Sequence, residues 1–240
     1  IGAWHDENRG VGFFEKADKT IDLLKKHNIN NITIGTCITR DNIDELPQIL
    51  EYVIKKEVDK FALMLLLPEG RATLEMDVKI EKLLEKLDEF WDIYRKNEIK
   101  FEFAENCVLP PVCIPKDLRE KGLHKTFVVC CSFPNMMGIS ADGNVAPCDG
   151  FLGWKDYIAG NIYKDKIENI WNKMINDSNI IPPNVTDIKG VCSKCIYLKE
   201  CGGNCRADAV AQYGDILAPY PICQKLYDAG KFPKECLRDD

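Results

Sequence analysis

Residues 60–67 read KFALMLLL, an apolar run of strand length that stops at Pro68 and Gly70. A run apolar almost throughout is what a parallel strand covered on both faces requires, because a strand with one wet face would alternate. Working outward, residues 31–38 (NITIGTCI) form a second β-rich stretch. Between the two, Asp41 and Asn42 offer cap-type side chains before Ile43, Leu46, Ile49, Leu50, Val53 and Ile54, which recur at helical spacing. Beyond the central run, Ile80, Leu83, Leu84, Leu87, Phe90, Trp91 and Tyr94 lie on one helical stripe, with the aromatic rings on the face that meets a sheet. Upstream, Phe14 to His27 reads as a helix with Ala17, Ile21 and Leu24 inward. The order helix, strand, helix, strand, helix implies right-handed crossovers in a parallel sheet or barrel. Two such units cannot close a barrel, and alone they would expose an apolar strand edge. The chain opens at Ile1-Gly2 without a methionine, and Ala3-Trp4-His5-Asp6 reads as the loop after a strand lying upstream. The expectation is a piece of a longer polypeptide.

The 240 residues, 45% of them hydrophobic, suffice for one large domain or two modest ones. A net charge of −6 provides no broad basic surface for a phosphate backbone, so nucleic acid is not an expected partner. No apolar run approaches the roughly 20 residues of a membrane span, and no basic and apolar leader marks export. A cytoplasmic protein is expected. After about Ile99 the texture changes to cysteine, proline and short irregular runs, with loop signals at Pro110-Pro111, Pro115 and Pro182-Pro183. Only Tyr163 to Asn176 keeps a helical period there, through Ile167, Ile170, Trp171 and Met174. This half lacks an obvious large core and is expected to be organised by bound metal.

Twelve cysteines sit in the chain, and seven of them are ordered. Cys131 is followed by eleven residues, Gly143, four more and Cys148; then come Cys192-x2-Cys195-x5-Cys201-x3-Cys205 and, seventeen residues on, Cys223. A Cys-x2-Cys turn lets two thiolates converge on one centre, and distant cysteines complete the shell through the tertiary fold. Gly202-Gly203 would let the backbone approach the sulfurs and donate N–H bonds to them. A disulfide framework would need a small, loop-rich secreted chain, which this is not. A single four-thiolate zinc would use Cys192, Cys195, Cys201 and Cys205 but leave Cys131, Cys148 and Cys223 without a role. Two four-iron clusters need about eight thiolates, and the chain from Cys107 onward offers eleven.

The spacing resembles the SPASM domain, the auxiliary-cluster domain of many radical S-adenosylmethionine enzymes: Cys, nine to fifteen residues, Gly-x4-Cys, a gap, Cys-x2-Cys-x5-Cys-x3-Cys, a gap, Cys. The first hundred residues are similar to the C-terminal half of the radical barrel of the same enzymes. His5-Asp6-x2-Arg9-Gly10 and Gly12-Phe13-Phe14-Glu15 resemble its fourth-strand loop, Thr39-x2-Asn42-x2-Glu45-Leu46 the segment after the fifth strand, and Pro68-x-Gly70-Arg71-Ala72 the one after the sixth. The fold the resemblance implies is α/β: residues 1–99 the C-terminal half of a partial (β/α)6 barrel, 100–130 a bridging region, and 131–240 a small, cysteine-rich, loop-rich SPASM domain. The Cys-x3-Cys-x2-Cys loop that holds the S-adenosylmethionine-binding cluster in the family is absent from these residues.

The resemblance also implies ligands. Cys131, Cys148 and Cys205 would hold the inner auxiliary [4Fe-4S] cluster, and Cys192, Cys195, Cys201 and Cys223 the outer one. Cys113 or Cys107 is favoured over Cys130 as the fourth inner ligand, since adjacent cysteines fit one cluster poorly; an open position is the other option. Cys37, in an apolar strand, is expected to be a buried core thiol and Cys236 a free one. Arg9 would pair with the carboxylate of S-adenosylmethionine, the alternative being a structural salt bridge. Asn42 and Arg71 fall at C-terminal strand ends, the functional face of such barrels, with loop bracing as the alternative. Asp149, directly after Cys148 in Pro147-Cys148-Asp149-Gly150, resembles the proposed proton acceptor of sulfatase-maturing enzymes; a turn residue is the alternative. The three histidines show no ligand spacing. Together these imply a radical maturase with two auxiliary clusters in this chain. S-adenosylmethionine, a third [4Fe-4S] cluster and an electron donor such as flavodoxin or ferredoxin belong to the full-length protein. The expected substrate is a peptide or protein, receiving a thioether or carbon–carbon crosslink or a Cys or Ser oxidation. Small-molecule cofactor or haem biosynthesis is the second enzymatic option, and a non-catalytic metal-binding module that recognises a peptide is the rival.

Overall fold

The computed structural model describes residues 1–104, 109–126, 136–177, 179–180 and 184–238. The chain divides into two compact units, one of residues 1–66, 76–109 and 113–127, the other of 67–75, 110–112 and 128–240.

In the first unit, helix α1 (Gly2–Arg9) and helix α2 (Phe13–Lys26) precede strand β1 (Thr33–Ile38), helix α3 (Leu46–Lys56), strand β2 (Lys60–Leu65), helix α4 (Ile80–Lys96) and a short strand β3 (Glu102–Phe103). The three strands form one parallel sheet in the order β1-β2-β3, with Thr33 opposite Lys60 and Lys60 opposite Glu102. β3 continues the sheet past Ile99, where sequence texture alone suggested only a change of region. The stripes are buried as their spacing demands: Leu46, Ile49, Leu50 and Val53 on α3, and Ile80, Leu83, Leu87, Phe90 and Trp91 on α4. Phe61, from the apolar run, stacks on Phe90, and the Trp91 indole N–H donates to the Cys113 carbonyl at 2.9 Å. That bond matters, because an indole nitrogen buried without a partner would cost about 1–3 kcal/mol.

Three expectations for this unit change. Residues 2–9 are helical rather than a loop; the helix stops where Gly10 turns to φ 110°, and the Asp6 carboxylate accepts from the Gly12 and Phe14 N–H groups at 2.6 and 2.7 Å, capping α2 from the preceding helix. The Gly12 and Phe14 donors hold the Asp6 carboxyl below the usual carboxylate range. On α2 the inward edge runs Phe14, Asp18, Ile21. Phe14 packs on Tyr52, the Tyr52 hydroxyl donates to Asp18 at 2.8 Å, and Ala17 is left exposed on the flank. Cys37 is exposed, because β1 alternates and Thr33, Gly35 and Cys37 share the face that the helices do not cover.

The second unit holds an antiparallel sheet of β4 (Gly138–Ile139), β5 (Asn144–Ala146) and β6 (Gly160–Asn161), then helix α6 (Ile167–Asn176); α5 (Lys116–Glu120) belongs to the first unit. Four short helices follow: α7 (Gly190–Lys194), α8 (Leu198–Cys201), α9 (Arg206–Tyr213) and α10 (Pro221–Asp228). They are too short for periodicity to announce them. In place of one large core the unit has two modest apolar clusters. Val145, Ala159, Ile170, Met174 and Ile180 pack as one cluster, and Ala146, Phe151, Tyr157, Ala207, Val210 and Ile216 as another. No helix among the described residues is long and apolar enough to cross a membrane.

Candidate metal centres

Cys192, Cys195, Cys201 and Cys223 line one pocket, together with Val191, Leu198, Gly203, Tyr220 and Phe232. Three short helices bring the four thiols. Cys192 is carried within α7 and Cys195 caps its C-terminus; Cys201 ends α8, and Cys223 lies in the first turn of α10. Residues 236–238 pin the Cys195 turn, as Ile196 N–H donates to the Cys236 carbonyl at 2.9 Å and Arg238 N–H to the Lys194 carbonyl at 2.8 Å. Between Cys201 and Cys205 the chain reverses through three consecutive left-handed residues, Gly202, Gly203 and Asn204, at φ 58°, 76° and 53°. Glycine and asparagine are the residues that reach this region most cheaply. At Gly203 a Cβ would also lie 2.6 Å from the Ile188 side chain.

The pocket is apolar and the Tyr220 N–H donates to the Cys192 sulfur at 3.3 Å. Burial pushes the Cys192 thiol up, Cys195 up to about 11 and Cys201 up to about 12. Such thiols stay protonated unless a cation replaces their protons, which is the behaviour of a metal-loading site. Cys236 proves fully buried, with its charge felt at Cys195; its position near the C-terminus concealed this. No three His, Cys, Asp or Glu side chains among the described residues gather tightly enough for a single metal ion.

Cys148 and Cys205 occur together in a second place. Cys148 lies two residues past β5 and caps the turn Asp149–Phe151, Cys205 caps α9, and both pack with Ala146, Phe151 and Ala207. Glycines make room here: a Cβ on Gly150 would sit 2.9 Å from the Ala207 methyl, and one on Gly138 would meet the Cys148 carbonyl carbon at 2.6 Å. Cys131, Cys107 and Cys130 lie outside the described residues. Cys113 is buried in the first unit.

Asp149 is exposed. Near it is a carboxyl that sequence reading passed over, Glu69, the variable position of Pro68-x-Gly70. Glu69 Oε1 accepts from the Gly153 N–H at 3.3 Å, and burial, with the Asp149 charge adding to it, raises its carboxyl above the ordinary value. A raised carboxyl holds its proton better folded than unfolded, so its contribution is full at low pH and is lost as pH rises through the folded value. Glu69→Gln keeps the acceptor and cannot ionise. It should therefore melt above wild type at neutral pH, with the difference closing as the pH falls and the wild-type carboxyl is protonated; thermal unfolding at neutral and acidic pH checks this.

Arg9 is exposed at the end of α1 and makes no ion pair among the described residues, though its charge reaches Cys37. Asn42 is buried, and its amide works within its own loop: Oδ1 accepts from the Thr39 N–H at 2.7 Å and Nδ2 donates to the Cys37 carbonyl at 2.9 Å. It braces the end of β1 rather than capping the next helix.

Residues 130–196 match the family described as SPASM, an iron–sulfur cluster-binding domain. The chain thus carries a match to an iron–sulfur cluster-binding SPASM domain within its second unit, beside an α/β unit with a parallel sheet. More particularly, it is 29% identical to an AdoMet-dependent heme synthase of Oleidesulfovibrio alaskensis, over 91% of this chain and 57% of that protein. It is 26% identical to the pre-heme d1 synthase of Dinoroseobacter shibae, over 93% of this chain and 59% of that one. The chain spans a little under three fifths of the length of these curated relatives. Among solved structures, native anSMEcpe with bound AdoMet and Cp18Cys peptide shares the fold at a TM-score of 0.61, with 18% identity over 91% of this chain and 60% of that one.

Proposed function

We propose that this chain is the auxiliary-cluster portion of a radical S-adenosylmethionine oxidoreductase and holds two [4Fe-4S] clusters. The observation that carries the reading is the pocket walled by Cys192, Cys195, Cys201 and Cys223. Four thiols lining one pocket are the number a [4Fe-4S] cluster takes, and Cys148 and Cys205 in a second place go beyond what one four-thiolate zinc would use. The second cluster takes Cys148, Cys205 and Cys131, with Cys113, Cys107 or an open position as its fourth ligand.

A bound cluster of this kind supplies a one-electron acceptor. The protein's own residues do the rest. The Tyr220 N–H helps hold charge on the Cys192 sulfur. Arg9 is free to pair with the carboxylate of S-adenosylmethionine, in a site completed by the Cys-x3-Cys-x2-Cys loop these residues lack, and Asn42 stiffens the neighbouring end of β1. Asp149, exposed beside Cys148, takes the proton that a substrate sheds as it is oxidised.

The names of the curated relatives support a haem-type tetrapyrrole as substrate, since the relationship runs through more than nine tenths of this chain. A peptide or protein substrate is the second reading, favoured by the Pro147-Cys148-Asp149 run; an electron donor such as flavodoxin or ferredoxin serves either. Anaerobically purified protein, reconstituted with iron and sulfide, should be brown and carry about eight irons per chain from these residues. Colourless protein holding one or two zinc ions would overturn the assignment. Turnover of an iron-porphyrin rather than a peptide separates the two substrates.

A further inference from the structure

Arg206 opens α9, next to Cys205, and is 2% exposed. Its Nη1 donates to the Ile216 carbonyl at 3.0 Å and the Ala218 carbonyl at 2.6 Å, Nη2 donates to the Gly203 carbonyl, and buried Nε has no partner. No carboxylate forms an ion pair with it among the described residues. Asp215 is within electrostatic reach, but its oxygens are engaged by Lys189 Nζ at 2.7 Å and the Leu217 N–H at 2.9 Å. Asp208, on the same helix, accepts from Gln212 at 2.8 Å.

An always-charged guanidinium sealed inside protein with only carbonyl partners is costly, and chains keep such a group where an anion lies close. Here the anion is the neighbouring site. Gly203, whose carbonyl Arg206 grips, forms part of the pocket wall, and a Cβ on it would lie 3.0 Å from the guanidinium. The charge of Arg206 is also felt at Cys192 and Cys201, two of the four wall thiols. Four thiolates around a four-iron core of charge 2+ carry a net charge of about −2, and one more negative charge on reduction.

We propose that Arg206 is the built-in counter-charge of the four-thiol pocket: it offsets the negative charge of the cluster there and raises the potential at which that cluster accepts an electron. The inference rests on the cluster reading above and adds to it what sets the acceptor's strength. Arg206 is a positioning and tuning residue, since it touches the pocket wall and not a substrate. Its fixed positive charge favours the more negative, reduced state over the oxidised one, so its loss makes reduction harder.

The test uses the full chain, anaerobically reconstituted, with Arg206→Gln and Arg206→Lys beside wild type. Wild-type iron content tests the cluster reading itself; the variants test only the counter-charge. In Arg206→Gln the outer cluster, followed by a redox titration read by electron paramagnetic resonance, should show at least a tenfold lower reduced-to-oxidised ratio at the wild-type midpoint. That corresponds to a shift of about 59 mV to more negative potential for one electron. Arg206→Lys keeps the charge with fewer hydrogen bonds and should stay nearer wild type. An unchanged potential in Arg206→Gln would overturn the proposal. If Arg206→Gln fails to assemble, retention of the cluster by Arg206→Lys supports it, and equal loss in both assigns Arg206 to hydrogen-bond bracing alone.

Discussion

Cys201→Ala is expected to abolish the outer cluster, leaving about four of eight irons per chain, and to lower the stability of the second unit by far more than the ~1 kcal/mol of an average substitution. Cys201 ends α8 where Gly202, Gly203 and Asn204 turn the chain toward Cys205, so its loss removes a ligand and slackens the reversal that orders its neighbours. The walls of the pocket include Val191, Leu198, Tyr220 and Phe232, all buried, so the thiol shell is also part of the local core. Binding energy at such a site is folding energy. Cys195→Ala should behave alike, since the Cys195 turn is tied to residues 236–238. Cys37→Ala, at an exposed thiol of the first unit, is the control and should keep all its iron. Iron analysis with thermal unfolding checks all three; full iron content in Cys195→Ala and Cys201→Ala would remove both from the ligand set.

Asp149→Asn should lower product formation by about 10²-fold or more, the usual range for a lost general base, while cluster content and S-adenosylmethionine cleavage persist. The backbone supports a clean separation of these effects. Asp149 starts a short turn whose N–H bonds, Phe151 to the Cys148 carbonyl at 3.1 Å and Leu152 to the Asp149 carbonyl at 3.1 Å, do not involve its carboxylate. Asparagine keeps the shape and removes the base. Glu69 stands within electrostatic range of Asp149, and burial raises its carboxyl above the ordinary value. The experiment is run in the protein that includes the S-adenosylmethionine-binding loop, with substrate product and cleaved S-adenosylmethionine measured together. Wild-type product yield would leave Asp149 as a turn residue.

Strands and helices of the first unit were legible because their signals are local. KFALMLLL stays apolar through consecutive positions, and the α4 stripe repeats every three or four residues, so each betrays its element without reference to any other. Elements with weak local signals are not legible in this way. α1 carries no apolar stripe, so its sequence resembles a loop, and α7 to α10 are shorter than the window that periodicity needs. Cys37 is exposed although its strand is apolar, because alternation reveals that a strand has two faces but not which one the helices cover.

Cysteine spacing by itself pointed to several thiolate ligands, whereas the resemblance to a family, and not the spacing, set Cys192, Cys195, Cys201 and Cys223 apart from Cys148 and Cys205. Only the tertiary structure decided the surroundings of that site. It buried Cys236 beside Cys195, set Glu69 near Asp149 across more than seventy residues of sequence, and sealed Arg206 against the wall of the thiol pocket. Spacing along a chain encodes ligands that share a turn or a short loop. Electrostatic neighbours are chosen by packing between distant segments, and no local pattern records that choice.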